Sequence, residues 1–215
     1  MGKESGLRPA AEVKTALLLV DIQQGLSTET GYFGTERSTP QLEDNVAKLL
    51  LAAREYNRRT VAQHGQGETI FIIHVFHKSS DPESPLWPEK PTNAIQPWAA
   101  PAAGEPVLSK RVNSAFVGTD LEQRLREQKI EQLLIFGLTT DHCISTTVRW
   151  ASDLEIVGPK EAGGVAIVSD ASAAFNYGDR FDAETVHAVS VGGLEDEFAR
   201  VVSTDEVLRQ VIEND

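Results

Sequence analysis

Three nearly continuous apolar runs constrain this chain more than anything else in it: Thr15–Val20 (TALLLV), Thr69–Val75 (TIFIIHV) and Gln132–Phe136 (QLLIF). None alternates apolar with polar, so each reads as a strand buried on both faces, the mark of a parallel sheet. Gln41–Arg58 has helical period instead, with Leu42, Val46, Leu49, Leu50 and Ala53 on one face and Asn45, Lys48 and Glu55 opposite. Leu121–Gln128, Thr139–Asp153, Asp182–Gly192 and Thr204–Ile212 predict further helices, and Pro106–Leu108, Val165–Val168 and Ala199–Val202 further strands. Thr140 or Asp141 suits the N-cap of the Thr139–Asp153 helix. Thr204 followed by Val207 lacks the pair that makes a capping box. Strand and helix alternate throughout, so the fold class is α/β: a three-layer α-β-α sandwich around a Rossmann-like, mostly parallel sheet.

The 215 residues suit a single domain over 15–215, with residues 1–14, polar and holding Gly and Pro, expected as a flexible leader. A net charge of −12 leaves no basic patch for a phosphate backbone, which excludes nucleic acid and anionic membranes as partners. The apolar runs are too short to cross a bilayer. MGKESGLRPAAEVK lacks the apolar core of a signal peptide. A lone cysteine excludes an internal disulfide and a zinc cage, and the expected compartment is the reducing cytoplasm. His77–Pro106 carries seven of the ten prolines, with Trp87 and Trp98, and predicts a long functional loop. Val157–Gly164 predicts a turn-rich insertion on the surface.

Sites in open α/β sheets form at the carboxyl ends of strands. Three reactive residues stand at such ends: Asp21 after TALLLV, Lys110 after PVLS, and Cys143 just past QLLIFG. A parallel sheet gathers its strand ends on one edge, so these distant residues are expected to meet. Cys143 falls in the first turn of the predicted helix, where unpaired N–H groups and the dipole lower a thiol's pKa and hold a developing oxyanion. Asp21 is the candidate proton carrier. Lys110 between the two would stabilise both anions. The neighbouring His142 points about 100° away on a helix, which argues against a Cys–His dyad. His187 and Asp170 read as structural, and His64 as exposed.

These residues and their flanks, ALLLVDIQQG, LSKRVNSAF, GLTTDHCISTTVRWA, SDASAAF and HAVSVGGLEDEFARVVSTDEV, resemble the isochorismatase-like cysteine hydrolase superfamily. The resemblance runs from about Thr15 to the C-terminus. It implies the family's Rossmann-like sandwich, a catalytic triad of Asp21, Lys110 and Cys143, and no cofactor. It further implies a cis peptide at Leu138–Thr139 that turns the Thr139 N–H toward an oxyanion beside that of Cys143. A homo-oligomer acting on a small molecule is also implied. Metal-binding members carry an Asp-x-His pair after the second strand; here Val75 stands where the aspartate would, so no metal is expected.

Gln23, His77, Trp87 and Phe116 are the expected substrate-binding residues, the aromatics as walls of a small apolar pocket. Three functions remain open. Retention of Cys143 favours hydrolysis of a small amide or ureide C–N bond through a thioester. Vinyl-ether hydrolysis of isochorismate would use Asp21 as acid and spare the cysteine. A catalytically idle binding protein would leave the triad without work.

Overall fold

A computed structural model describes residues 6–65, 69–158 and 164–213. The strands are β1 (Thr15–Val20), β2 (Phe71–His77), β3 (Val107–Lys110), β4 (Gln132–Leu138), β5 (Gly164–Ala173) and β6 (Arg200–Val202). They form one sheet in the order β3-β2-β1-β4-β5-β6, each neighbouring pair parallel. The helices are α1 (Leu42–His64), α2 (Leu121–Glu127), α3 (Ser145–Asp153), α4 (Ala183–Gly192) and α5 (Thr204–Val207), the last continuing as a π-helical turn, Leu208–Ile212. Every residue of β1 and β4 is buried, which is why these two strands read as unbroken apolar runs.

The period-2 alternation of β1 divides the core. Leu17 and Leu19 face Val46, Leu49, Leu50 and Ala53 of α1 and Val207 of α5. Ala16, Leu18 and Val20 face Leu121 and Leu125 of α2 and Val148 and Ala151 of α3. The strand order reverses between β1 and β4, and a crevice opens at their carboxyl ends. Gly137 of β4 sits directly beside Val20 there, at φ 130°, and a Cβ on it would lie 2.0 Å from the Val20 carbonyl oxygen. Only glycine fits that position.

Several boundaries differ from the sequence expectation. β2 ends at His77 rather than Val75, because its last residues pair with Ser109 and Lys110 of β3. β5 runs on to Ala173 through a register shift opposite Ile135 and Gly137, a local irregularity with no composition signal. α1 extends to His64, since its last turns are solvent-facing and carry no apolar period. The closing helix does have a capping box, one residue earlier than sought: Ser203 with Glu206. The turn before α3 is capped by Thr139, without a side-chain cap bond, rather than by Thr140 or Asp141.

The leader expected to be flexible is packed over its described part. Leu7 and Ala10 join the α1 side of the core, and Val13 is buried. The Ala10 N–H donates to Val211 O at 2.8 Å, and the Arg8 N–H to Gln132 Oε1 at 3.0 Å. Spacing of three residues turns Leu7, Ala10 and Val13 inward while Arg8 and Glu12 pair outside at 2.8 Å. Residues 1–5 of that leader and 159–163 of the turn-rich insertion lie outside the described residues. Leu7→Ala should lower unfolding free energy by about 2 kcal/mol in urea denaturation, the scale of a truncated core leucine; a loose leader would give no change.

Candidate active site

Asp21 directly follows β1, in the left-handed region at φ 54°, a conformation that aspartate tolerates better than most residues. Its N–H still bonds Val75 O of β2 at 2.8 Å, so the chain leaves the sheet only after this residue. Lys110 ends β3, paired with His77 at the end of β2. Cys143 follows β4 in a π-helical turn, Thr140–Ile144, which runs directly into α3; the α-helix itself starts at Ser145. The peptide Leu138–Thr139 is cis.

Lys110 Nζ joins these residues. It donates to Asp21 Oδ2 at 2.6 Å, to Cys143 Sγ at 3.1 Å and to Val112 O at 3.2 Å, and lies 3.4 Å from His77 Nδ1. The Lys110 and Asp21 side chains are 0% and 1% exposed. Burial alone would pull the lysine pKa down, but Asp21 and Cys143 outweigh it and the net shift is upward. His77 is shifted downward by burial and by the Lys110 charge, which favours the neutral ring. The ligand atoms of Asp21, His77 and Cys143 lie within 4.8 Å of one another, the spacing of a metal cluster. The Lys110 ammonium stands within reach of all three and supplies the positive charge that an ion would bring.

The sulfur departs from the sequence expectation. Burial and then the Asp21 charge push the Cys143 thiol up, with Lys110 opposing. The π-turn sets the sulfur close to a carboxylate, and that environment outweighs any dipole at the helix start. Among the described residues, Asp21 Oδ1 is buried without a hydrogen-bond partner, so the carboxylate keeps a free acceptor at the floor of the site.

A cavity of about 290 Å³ lies above this floor, small among ligand sites. Leu26, Phe33, Leu86 and Leu138 make its apolar wall; Asn113, Thr139 and His142 supply polar atoms. Trp87 and Phe116 are not part of it. Trp87 is half-buried in its own loop, and Phe116 is buried against the α2–α3 core. Gln23 does not reach substrate space either. Its Nε2 donates to His77 O at 3.0 Å and Asn93 O at 2.7 Å, and its Oε1 accepts from the His77 N–H at 2.8 Å. It therefore pins the end of β2 to the loop that carries Leu86. Phe33 and Leu86 lie in long loops with no sequence period, so nothing in the sequence marked them.

At the rim, His142 Nδ1 is 2.7 Å from Asp141 Oδ2, which also accepts from the Tyr177 hydroxyl. Burial opposes the Asp141 charge, but the His142 and Tyr177 bonds bring its pKa to about 2. Tyr177 is pushed up to about 12 by burial and by Asp141. Among the described residues the cavity lining holds neither Arg nor Lys. His187 bonds Thr140 Oγ1 at 2.9 Å and Asp170 accepts from Thr204, so both are structural, while His64 is exposed.

The approach to β3 is held by Glu105. It accepts from Arg54 Nε and Nη2, both at 2.8 Å, and from the Ala102 N–H at 2.9 Å, and stands 2.9 Å from His74 Nε2. Burial raises the Glu105 pKa, but these donors win and lower it from 4.5 to about 2. A carboxylate with a depressed folded pKa adds stability that is present above its unfolded pKa and lost as pH falls through the folded one. Glu105→Gln should therefore cost on the order of 2 kcal/mol at pH 7, with the difference from the parent protein shrinking between about pH 4.5 and pH 2. Urea denaturation across that range measures it.

Comparison with known proteins agrees with this architecture. A family model described as the Isochorismatase domain matches residues 15–206. The chain is 35% identical over 205 residues to the isochorismatase family protein YrdC of Bacillus subtilis, covering 94% of this chain and 98% of that one. A crystal structure of an isochorismatase-family protein from Chromobacterium violaceum superimposes with a TM-score of 0.78 at 31% identity, covering both chains completely. The ureidoacrylate amidohydrolase RutB of Methylorubrum extorquens is 26% identical over 161 residues, 63% of this chain and 62% of that one. With its parallel sheet, its strand order and a family match across most of its length, the chain belongs to the isochorismatase family of hydrolases.

Proposed function

We propose that the protein hydrolyses a small amide or ureide C–N bond through a thioester on Cys143. The observation that carries this reading is Lys110 Nζ, in contact with both the Asp21 carboxylate and the Cys143 sulfur at the floor of a small cavity. Such a grouping places a nucleophile, a proton acceptor and a fixed positive charge around one point. Similarity to an amidohydrolase over part of the chain supports the same choice.

In the resting site the thiol keeps its proton, since burial and Asp21 disfavour the anion. As sulfur attacks the substrate carbonyl, the proton passes to Asp21, and Lys110 offsets the negative charge that remains. The oxyanion is held by the backbone N–H groups of Thr139 and Cys143. Collapse of the tetrahedral adduct breaks the C–N bond, and Asp21 returns the proton to the departing amine or ammonia. Water then gives a proton to Asp21 as its oxygen attacks the thioester. Cleavage of the C–S bond releases the acid and restores the thiol with that proton. Each proton is carried by a residue of the chain, and no cofactor enters the scheme.

Isochorismate carries two carboxylates, whereas the Lys110 cation at the floor is already matched by Asp21. A panel of small amides and ureides, with isochorismate alongside, distinguishes the two chemistries by product: ammonia or amine against pyruvate. Cys143→Ala should lower kcat/KM for every accepted amide by roughly 10⁴-fold or more, with the fold intact by circular dichroism. Acid quench of the parent protein during turnover should trap an acyl mass on the chain. Full activity of Cys143→Ala, or pyruvate as the product, would overturn the proposal.

A further inference from the structure

The rim of the cavity holds an ordered polar group that the proposed hydrolysis leaves unused. His142 precedes the nucleophile in sequence yet takes no part in the cluster at the floor. Its Nδ1 is committed to Asp141 Oδ2 at 2.7 Å, with Thr139 Oγ1 at 3.3 Å. Tyr177, from the loop after β5, donates to the same Asp141 oxygen and stands edge-on to the imidazole, ring centroids 6.3 Å apart. These contacts fix the ring. Nε2 has no partner among the described residues, although the side chain is 54% exposed and lines the same cavity as Cys143.

A fixed imidazole at the mouth of a mainly apolar pocket, its Nε2 unpartnered among the described residues, is a recognition element: a few fixed polar groups set orientation in such sites. We propose that His142 is a specificity-determining residue whose Nε2–H donates to an oxygen acceptor, above all a carboxylate, that the substrate carries at the end away from the scissile carbonyl. The substrate class is thereby narrowed to short amides or ureides with a single distal carboxylate. The inference rests on Cys143 being the nucleophile at the other end of the cavity. Charge supports it. The Lys110 cation at the floor is matched by Asp21, whereas the groups set against His142 are Asp141 from its own turn and Tyr177 from the neighbouring loop. His187 of α4 is turned to Thr140 instead. The hydrogen bond to Asp141 raises the His142 pKa and so favours the imidazolium, in which both ring nitrogens donate. Once the ring is neutral, with Nδ1–H kept on Asp141, Nε2 becomes an acceptor and can no longer hold a carboxylate.

The test needs no turnover. Cys143 is the sole cysteine, so alkylation is read directly by intact mass. N-(chloroacetyl)glycine and N-isobutyl-2-chloroacetamide carry the same electrophile, and differ in a distal carboxylate against an isosteric hydrocarbon. The parent protein should label roughly tenfold faster with the acid, the scale of one hydrogen bond to a charged group. His142→Phe should bring the ratio of the two rates to about one, while His142→Gln, which restores an N–H donor, should recover part of it. In the parent protein the ratio should fall as pH rises through the His142 titration, and in His142→Phe it should stay flat. An equal rate for both probes on the parent protein, or an unchanged preference in His142→Phe, overturns the inference. Failure of the hydrolytic reading shows separately, as absence of ammonia or amine while the labelling preference persists.

Discussion

A lysine and an aspartate, both sealed from water and 2.6 Å apart, hold the site together. Burying two charges costs several kcal/mol per ion before their attraction returns it, and a well-packed apolar pair would often serve stability as well. The pair therefore makes little sense as a structural brace. It makes sense as the means of holding a third group, the Cys143 sulfur, 3.1 Å from a fixed cation. The three elements that carry these side chains are separate in sequence and meet because the parallel sheet aligns the ends of β1, β2, β3 and β4 on one edge.

That much was legible in the sequence. TALLLV and QLLIF are apolar at every position because both faces of their strands are covered, and residues just beyond such runs had to fall on the carboxyl edge. The cis peptide at Leu138–Thr139 also stands where the resemblance put it. The pocket wall was not legible. Phe33 and Leu86 come from loops, and loop shape is set by long-range bonds rather than by local period. Asn93 Nδ2 donates to His77 O and Leu86 O, and Asn176 Oδ1 accepts from the N–H groups of Thr35 and Glu36, 140 or more positions away. Trp87 and Phe116 looked like pocket walls by residue type alone, and residue type does not say which side of a loop faces the cavity.

The thiol shows the same division. Its position just past a strand suggested activation by a helix start, which is a local argument. The actual environment is tertiary: a carboxylate from β1 and a lysine from β3 close around the sulfur, and their balance with burial sets its proton affinity. Gln23 differs from the sequence expectation for a related reason. A polar residue two places beyond Asp21 suggested substrate contact, but its amide is fully used by the backbone of His77 and Asn93.

Gly137 carries a wider consequence. Because no Cβ fits between it and the Val20 carbonyl, the gap between the two central strands is set by the lack of one carbon atom. Asp21 follows Val20 directly, and Cys143 stands six residues beyond Gly137, so the pitch between the carboxylate and the sulfur is inherited from backbone contact. Phe33 and Leu86 of the cavity wall come from loops instead. Side chains of the loop-borne wall can thus change by drift, while the spacing of Asp21 and Cys143 behaves as an inelastic gauge that evolution can inherit but not retune.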